Sequence, residues 1–532
     1  MVPIRTFFCQ LHEAFDALDA AILGKGAIKK SKMGNPENGR RAEGDQQRLQ
    51  ADLMNQVGGL FENFLSKPPP PNIVDLWKEH ERIRGHLNEI CKIQSEMNAS
   101  NDSTIERSPE LLSAFIAWAD QIGIQRDGVD VVESSDVGGY GLTANKSISK
   151  NTVVVSVPRH ATMSLDLAKK SSMMKKAFEQ DPIVQRMENV ALALFLCCHR
   201  LKSDSKWKAY ISMLPRQFSS PLYFNDEDML KLKPSPVFEE AMLFYRTVAR
   251  QFTVFFLTVS RNEAFEKARK ASKNSNTEPP ILYNTPFTMS NFTFDLYRWA
   301  VCCVTTRINM IPSETDKTKD GDVKLIPALI PVLDMANHEF VNEIIDEAVA
   351  FNTESDTAEI VATRGYESSK PVNIFYGRRS NAEHLLHNGF VPEGHNSADR
   401  YKLKIGLPRT DKNFQQKHKM IFDLGFAGWY ESNIFMFDLA NNIKSEQILL
   451  AALKFLKVRF ELLEKTYGEI KAGQNSIEKN IEGLKLGELA ILNRAKNYCE
   501  EYEKAILNPT KSPTKKPTEH VSRSLAKKSA EV

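Results

Sequence analysis

Four short segments combine residues that constrain the backbone with polar groups in an apolar setting: GGYG at 138–141, TRIN at 306–309, LDMANHE at 333–339 and FYGRRSNAE at 375–383. Glycines around Tyr140 mark a sharp turn whose exposed N–H and C=O groups can hold a ligand. Arg307 offers a planar guanidinium, which pairs with a carboxylate through two parallel hydrogen bonds. Tyr376 ends an apolar run and precedes Gly377, a residue that lets the backbone approach a ligand closely. A hydroxyl in that position can orient a nucleophile. Each segment, taken singly, also has a structural reading. GGYG can close a plain hairpin, Arg307 and Asn309 can end a helix, and Asp334, Asn337 and His338 can form side-chain to backbone turns.

The elements that would position these groups follow from hydrophobic periodicity. Residues 373–390 read as strand, tight turn and helix, with Ala382, Leu385, Leu386 and Phe390 at helical spacing. β-rich runs are predicted at 129–132, 142–144 and 152–157, and again at 325–333, 348–351, 359–363 and 372–376. Between the two groups, 165–306 is mainly helical. Its segment 190–198 is apolar all round, which predicts a buried helix, and further helices are predicted at 236–259 and 293–306. Ahead of the β region stand a helix over 1–23, a polar linker over 24–50, a short helix at 60–65, a polyproline spacer at 68–71 and a helix from Leu76 to Gln94. After Asn396, strand-like YKLKIGL leads into helices at 414–424, 445–467 and 477–503.

At 532 residues the chain is too long for one core, and two to four domains are expected. A hydrophobic share of 42% and a charged share of 26% are those of an ordinary soluble protein. The net charge of +3 is concentrated in residues 507–532, where Lys511, Lys515, Lys516, Arg523, Lys527 and Lys528 outnumber Glu519 and Glu531. The body is therefore near neutral, which excludes a nucleic-acid-binding body. The tail reads as solubilising, or as a weak nuclear-import signal. None of the seven cysteines forms CxxC or stands at zinc-motif spacing from a histidine, so reduced thiols of a cytosolic or nuclear protein are expected. Acidic residues interrupt the N-terminal apolar stretch, against a signal peptide. The apolar run at 190–198 is far short of the roughly 20 residues that span a bilayer, and no membrane partner is expected.

In their order, the four segments resemble the SET-domain protein methyltransferases of the Rubisco large-subunit methyltransferase class, over about residues 105–505. WKAYISMLPRQFSSPLYF at 207–224, YRWAVCCVTTRIN at 297–309 and IFYGRRSNAEHLLHNGF at 374–390 are similar to members that methylate a histidine of actin. The fold implied is α+β: a β-rich SET core split by a helical insertion and followed by an all-helical C-terminal substrate-binding domain. The implied division is an N-terminal helical extension with flexible linkers (1–104), SET core (105–164), helical insertion (165–306), SET core with the active site (307–395), substrate-binding domain (396–506) and disordered basic tail (507–532).

The resemblance implies S-adenosylmethionine as cofactor and no metal. Gly138, Gly139 and Tyr140 would lie against it, with Arg307 near its carboxylate and Arg107 as a further cofactor arginine. Asp334, Met335, Ala336, Asn337 and His338 would hold its amino and adenine ends, and Asn388, Gly389 and Phe390 would complete the adenine pocket. Tyr376 corresponds to the active-site tyrosine. Asn309 stands beside the substrate ring, where lysine-methylating members carry a bulky aromatic, and Leu333, Ile374 and Arg379 contact the substrate. Two positions depart from the histidine-methylating members: Leu333 replaces a tryptophan and Ile308 a glutamine. Leucine before Asp334 is also what many lysine-methylating members carry. The implied activity is actin-histidine N-methylation by a cytoplasmic monomer. Lysine methylation of another protein and a catalytically silent binding module are the alternatives.

Overall fold

The computed structural model describes residues 39–98, 109–134, 139–271, 278–339, 348–403 and 446–507, with 410, 412, 413, 415, 430 and 431 between the last two stretches. It divides into two compact units. The first comprises Met1–Met229, Val237–Arg379 and Glu383–Phe390, and the second Leu230–Pro236, Ser380–Ala382 and Val391–Val532. The predicted helix at 1–23, all but residue 415 of the one at 414–424, and most of the basic tail lie outside the described residues.

The first unit opens with helix α1 (Gly39–Leu60) packed on α2 (Ile73–Met97). Part of the segment read as a polar linker is therefore helical. Leu53, Val57 and Leu60 recur at helical spacing and are fully buried, and their burial overrides the polar composition upstream. At the start of α2 the Asp75 N–H donates to the Asn72 side chain at 2.9 Å, satisfying a donor that a helix start leaves free. Helix α3 (Pro109–Gln121) begins on a proline, whose missing N–H costs nothing at that position.

Nine strands follow, all paired antiparallel. They are β1 (Gln125–Arg126), β2 (Val129–Ser134), β3 (Gly139–Ala144), β4 (Val153–Pro158), β5 (Met163–Ser164), β6 (Asn309–Lys317), β7 (Val323–Leu329), β8 (Val349–Asn352) and β9 (Thr357–Val361). They form a sheet of order β1-β4-β9-β8, a sheet of order β5-β7-β6 and the β2-β3 ladder. The long helices of the insertion are α4 (Glu188–Leu201), α5 (Val237–Ala271) and α6 (Phe294–Arg307), the last of which carries Arg307. Val190 to Cys198 of α4 are all buried, as the apolar run predicts.

Three expectations about local structure are corrected. Gly139, Tyr140 and Gly141 lie within β3, Gly139 opposite Ser134 and Gly141 opposite Val132, so they extend the ladder instead of forming its turn. Strand β6 begins at Asn309, one residue after the α6 cap; Pro312 and the polar run after it hide the strand in the sequence, and pairing with β7 imposes it. Residues 372–376 form no ladder strand. Pro371 makes a single bridge to Thr143 and Ile374 a single parallel bridge to His338, because Pro371 lacks an N–H and the segment passes between two different partners.

In the second unit α7 (Glu446–Tyr467) and α8 (Ser476–Leu507) bury Leu453, Leu456, Phe460, Ile491 and Leu492, with Tyr401 and Leu403 in the same core. Buried Glu488 accepts from the Tyr467 hydroxyl and the Ser235 hydroxyl, both at 2.8 Å. This unit is not all-helical: β10 (Lys402–Leu403) pairs with β11 (Tyr430–Glu431). Among the described residues no helix is long and apolar enough to cross a membrane, and no cluster of three or more His, Cys, Asp or Glu could hold a metal ion.

Candidate active site

After β7 the chain turns sharply. Val332 has φ 68 and ψ −52, and the Leu333 N–H donates to the Pro331 carbonyl at 2.9 Å. This is a tight γ-turn on a β-branched residue, a conformation that costs on the order of 1–3 kcal/mol and clusters at functional sites. It leads into the one-turn 3₁₀ segment Leu333–Met335 and sinks the Asp334 side chain to 0% exposure. Arg307, the last residue of α6, donates through Nη1 to the Asp334 carbonyl at 2.8 Å and to its Oδ1 at 3.4 Å. The Tyr210 hydroxyl donates to Asp334 Oδ2.

Burial raises the Asp334 carboxyl to about 6, although Arg307 and the Tyr210 hydrogen bond pull it down. Arg307 responds in the opposite sense: burial alone would lower it, but the Asp334 carboxylate holds it above its ordinary value. The desolvation falls on Asp334, which is fully enclosed, whereas the Arg307 side chain keeps 18% exposure. The raised carboxyl means that the folded chain binds this proton more tightly than the unfolded chain. Its contribution to stability is complete below the unfolded carboxylate range and is lost as pH rises through about 6. Measured by thermal unfolding, the difference between wild type and Asp334→Asn should shift in favour of wild type by up to about 3 kcal/mol from neutral pH to about pH 4. A difference independent of pH would contradict the buried, ionised carboxylate.

The second half of the site is a crossing of two extended segments. The Ile374 N–H donates to the Asn337 carbonyl at 2.8 Å, and the Glu339 N–H donates to the Ile374 carbonyl at 2.9 Å. Next to this crossing the Tyr376 N–H donates to His338 Nδ1 at 3.2 Å, and the Tyr376 hydroxyl donates to the Ala336 carbonyl at 2.8 Å. Gly377 follows with φ 94, a backbone conformation that a side chain would strain. Burial pushes the Tyr376 phenol up to about 12, offset in part by Arg307. It therefore stays protonated at neutral pH and acts as a hydrogen-bond donor. His338 is pushed down to about 4 by burial and then by Arg379, so its ring is neutral. Because Nδ1 accepts from Tyr376, the ring proton sits on Nε2.

Around this crossing the rings of His338, Tyr376, His384 and Phe390 gather. His338 lies 4.9 Å from His384 and 5.7 Å from Phe390 between centroids, and Tyr376 lies 6.4 Å from Phe390. A π-turn, His384–Asn388, and Gly389 at φ 80 deliver Phe390. A side chain at Gly389 would also come within 3.1 Å of the Ser220 backbone nitrogen. Arg379 Nη1 donates to Asn388 Oδ1 at 2.6 Å. On the other side Asn337 Nδ2 donates to the Tyr140 carbonyl at 3.4 Å, and a Cβ at Gly141 would lie 2.7 Å from Asn337 Nδ2. Since the atom met is the tip of a side chain, Gly141→Ala should cost less than about 1 kcal/mol in urea unfolding and yet weaken ligand binding about tenfold by displacing Asn337. A large stability loss with unchanged binding would show that Gly141 serves only the ladder.

The structure thus brings together Tyr140 with Asn337, Arg307 with Asp334, Ala336 and His338 with Tyr376, Ile374 with Asn337, and Arg379 with Asn388. Gly139 sits at the start of β3, and Met335 is buried between Asp334 and Ala336. Asn309 opens β6 half-buried, its Nδ2 donating to the Arg307 carbonyl at 3.3 Å. Leu333 is wholly buried in the core, so its influence on a substrate would pass through the side chains that cover it. Arg107 and Gly138 lie outside the described residues. Tyr210 and His384 were given no role by sequence reasoning. Both stand in the distinctive segments 207–224 and 374–390, which were the available signal.

Within this cluster of described residues, three buried side-chain nitrogens lack a protein partner: Arg307 Nε, His338 Nε2 and His384 Nδ1. Buried donors left unmet cost about 1–3 kcal/mol each, and such groups ordinarily find a protein group, an ordered water or a ligand. A ligand with a carboxylate for Arg307 and a heteroaromatic ring beside Phe390 and His338 fits this donor set.

No protein-family model matches the chain. In sequence it is 33% identical over 428 residues to an actin-histidine N-methyltransferase of Danio rerio, covering 80% of this chain and 64% of that protein. The corresponding Xenopus tropicalis protein is 34% identical over 402 residues, covering 75% of this chain and 62% of that protein. The chain thus spans somewhat less than two thirds of the length of these curated relatives. Among solved structures, the SET domain of LSMT bound to lysine and AdoHcy superposes with a TM-score of 0.56 at 18% identity, covering 75% of this chain and 93% of that one. Rubisco LSMT bound to AdoMet gives a TM-score of 0.54 at 19% identity.

Proposed function

The chain has the SET-domain fold, and from that premise we propose that it is an S-adenosylmethionine-dependent protein-histidine N-methyltransferase acting on actin, monomeric and cytoplasmic. The observation that carries the reading is the Tyr376 hydroxyl held by the Ala336 carbonyl at 2.8 Å, within a site that also holds the unpartnered Arg307 Nε. S-adenosylmethionine supplies a sulfonium-activated methyl group. The protein's part is then to bind the donor, align the acceptor and exclude water.

Arg307 would take the donor's carboxylate, with Asn337, His338 and Phe390 at its adenine end. A protonated Tyr376 and the Ala336 carbonyl supply fixed dipoles where charge is redistributed during transfer. The acceptor needs a free lone pair. A lysine amine, with a pKa of about 10.4, must lose a proton at a cost of roughly 4–5 kcal/mol near neutral pH, whereas an imidazole at about 6.5 is already mostly neutral. What an imidazole needs is control of its tautomer. Asn309, with Nδ2 turned to the Arg307 carbonyl, keeps Oδ1 to accept the N–H of such a ring. The match to the actin-histidine enzymes supports the same acceptor.

The pH dependence of kcat/KM on purified actin tests this reading. A histidine acceptor gives activity that rises through about pH 6.5 and is flat from about pH 7.5 to 9, whereas a lysine acceptor gives close to a tenfold rise per pH unit across that range. A continuous rise would replace the histidine reading with lysine methylation, the reading favoured by Leu333 in place of tryptophan.

A further inference from the structure

The geometry assigns Tyr210, contributed by the helical insertion, the part of a positioning residue for the methyl-donor site: it acts through Asp334 on Arg307. This rests on the reading of the site given above. Tyr210 lies on the short helix Lys208–Met213, is fully buried, and packs its ring 6.5 Å from Phe115. Its hydroxyl donates to Asp334 Oδ2, while Asp334 Oδ1 takes Arg307. With both oxygens engaged the carboxylate cannot rotate about its last bond. Arg307 is then fixed by the Asp334 carbonyl and carboxylate together, which leaves its Nε as the donor without a protein partner.

The arrangement depends on a hydroxyl and not on ring packing alone. Without it, Oδ2 would be a buried anionic oxygen with no donor, and the group would escape that cost by taking up a proton and loosening its hold on Arg307. The ionisable groups facing Asp334 are Arg307 and Cys303 from α6, Tyr210 from the insertion and Tyr376 from the crossing segment. Arg307 and Tyr210 alone among them favour the charged carboxylate, so removing one leaves the other to carry it.

Calorimetry of the full chain with S-adenosylmethionine provides the test. Tyr210→Phe should bind the donor about tenfold more weakly, the worth of one buried hydrogen bond to a charged group, while kcat at saturating donor falls by less than about threefold. The midpoint below which donor affinity is lost should move to higher pH than in wild type. In an Asp334→Asn background the added Tyr210→Phe change should have no further effect on donor affinity. That pair of variants leaves no unpaired anion, and it keeps the comparison open if the single variant does not fold. Unchanged affinity in Tyr210→Phe, or an equal loss in both backgrounds, overturns the assignment. A wild-type chain that binds no S-adenosylmethionine overturns the reading of the whole site, and is distinguished by that control.

Discussion

Replacing Tyr376 by phenylalanine lowers kcat by about 10²–10³-fold and changes the dissociation constant for S-adenosylmethionine by less than about threefold. The ring remains, so its contacts with His338 and Phe390 persist, as does the backbone hydrogen bond from the Tyr376 N–H to His338 Nδ1. Only the hydroxyl is lost, together with its bond to the Ala336 carbonyl. An interaction made chiefly in the transition state appears in kcat, whereas one that holds the donor in the ground state appears in its affinity. Single-turnover rates and calorimetry on the same preparation separate the two. Equal losses in both would place the hydroxyl on the donor and remove it from the transferring methyl.

The second large effect is on binding. Arg307→Gln weakens S-adenosylmethionine by about a hundredfold, within the 2–5 kcal/mol that truncating one member of a buried charged pair costs. Two losses combine. The guanidinium fork that suits a carboxylate disappears, and Asp334, with no exposed side-chain surface, loses its counter-charge. A buried carboxylate in that position protonates, so the damage should be smaller when binding is measured below about pH 6, where wild-type Asp334 is already being neutralised. Arg307→Lys keeps the charge without the planar fork and should fall between wild type and Arg307→Gln. Calorimetry that finds Arg307→Gln equal to wild type would remove Arg307 from the donor site.

How much of this was legible in the sequence depends on whether an element is fixed locally or by a distant partner. The helices were readable where one face is apolar: α4 from its continuous apolar run, and α7 and α8 from their periodicity. Helix α1 was missed, all but Leu60, because its upstream half is polar, and Leu53, Val57 and Leu60 become decisive only once α2 lies against them. Strand β6 and the segment before Tyr376 were misread for a related reason. Pro312 and the polar run after it hide β6, which pairing with β7 imposes, whereas the apolar run at 372–376 suggested a strand and makes only single bridges, from Pro371 to Thr143 and from Ile374 to His338. Tertiary pairing overrides local propensity at both places.

The site shows the same division. The residue types of TRIN, LDMANHE and FYGRRSNAE announced polar chemistry, and their order carried the resemblance that implied one site. Their geometry could not be read from types alone. The γ-turn at Val332 that sinks Asp334, and the Tyr210 hydroxyl arriving from 124 residues away, are products of the folded chain. GGYG illustrates the opposite risk. Its glycines suggested a turn, yet Gly141 lies within β3, where a Cβ would meet the Asn337 side chain.

The most direct test of the central claim is to incubate the full chain with purified actin and isotopically labelled S-adenosylmethionine and to locate the label by peptide mass spectrometry. The expected result is a labelled methyl on a histidine of actin, reduced about a hundredfold or more with Tyr376→Phe under the same conditions. Label confined to lysine, or no label on actin from a chain that binds the donor, would contradict the account.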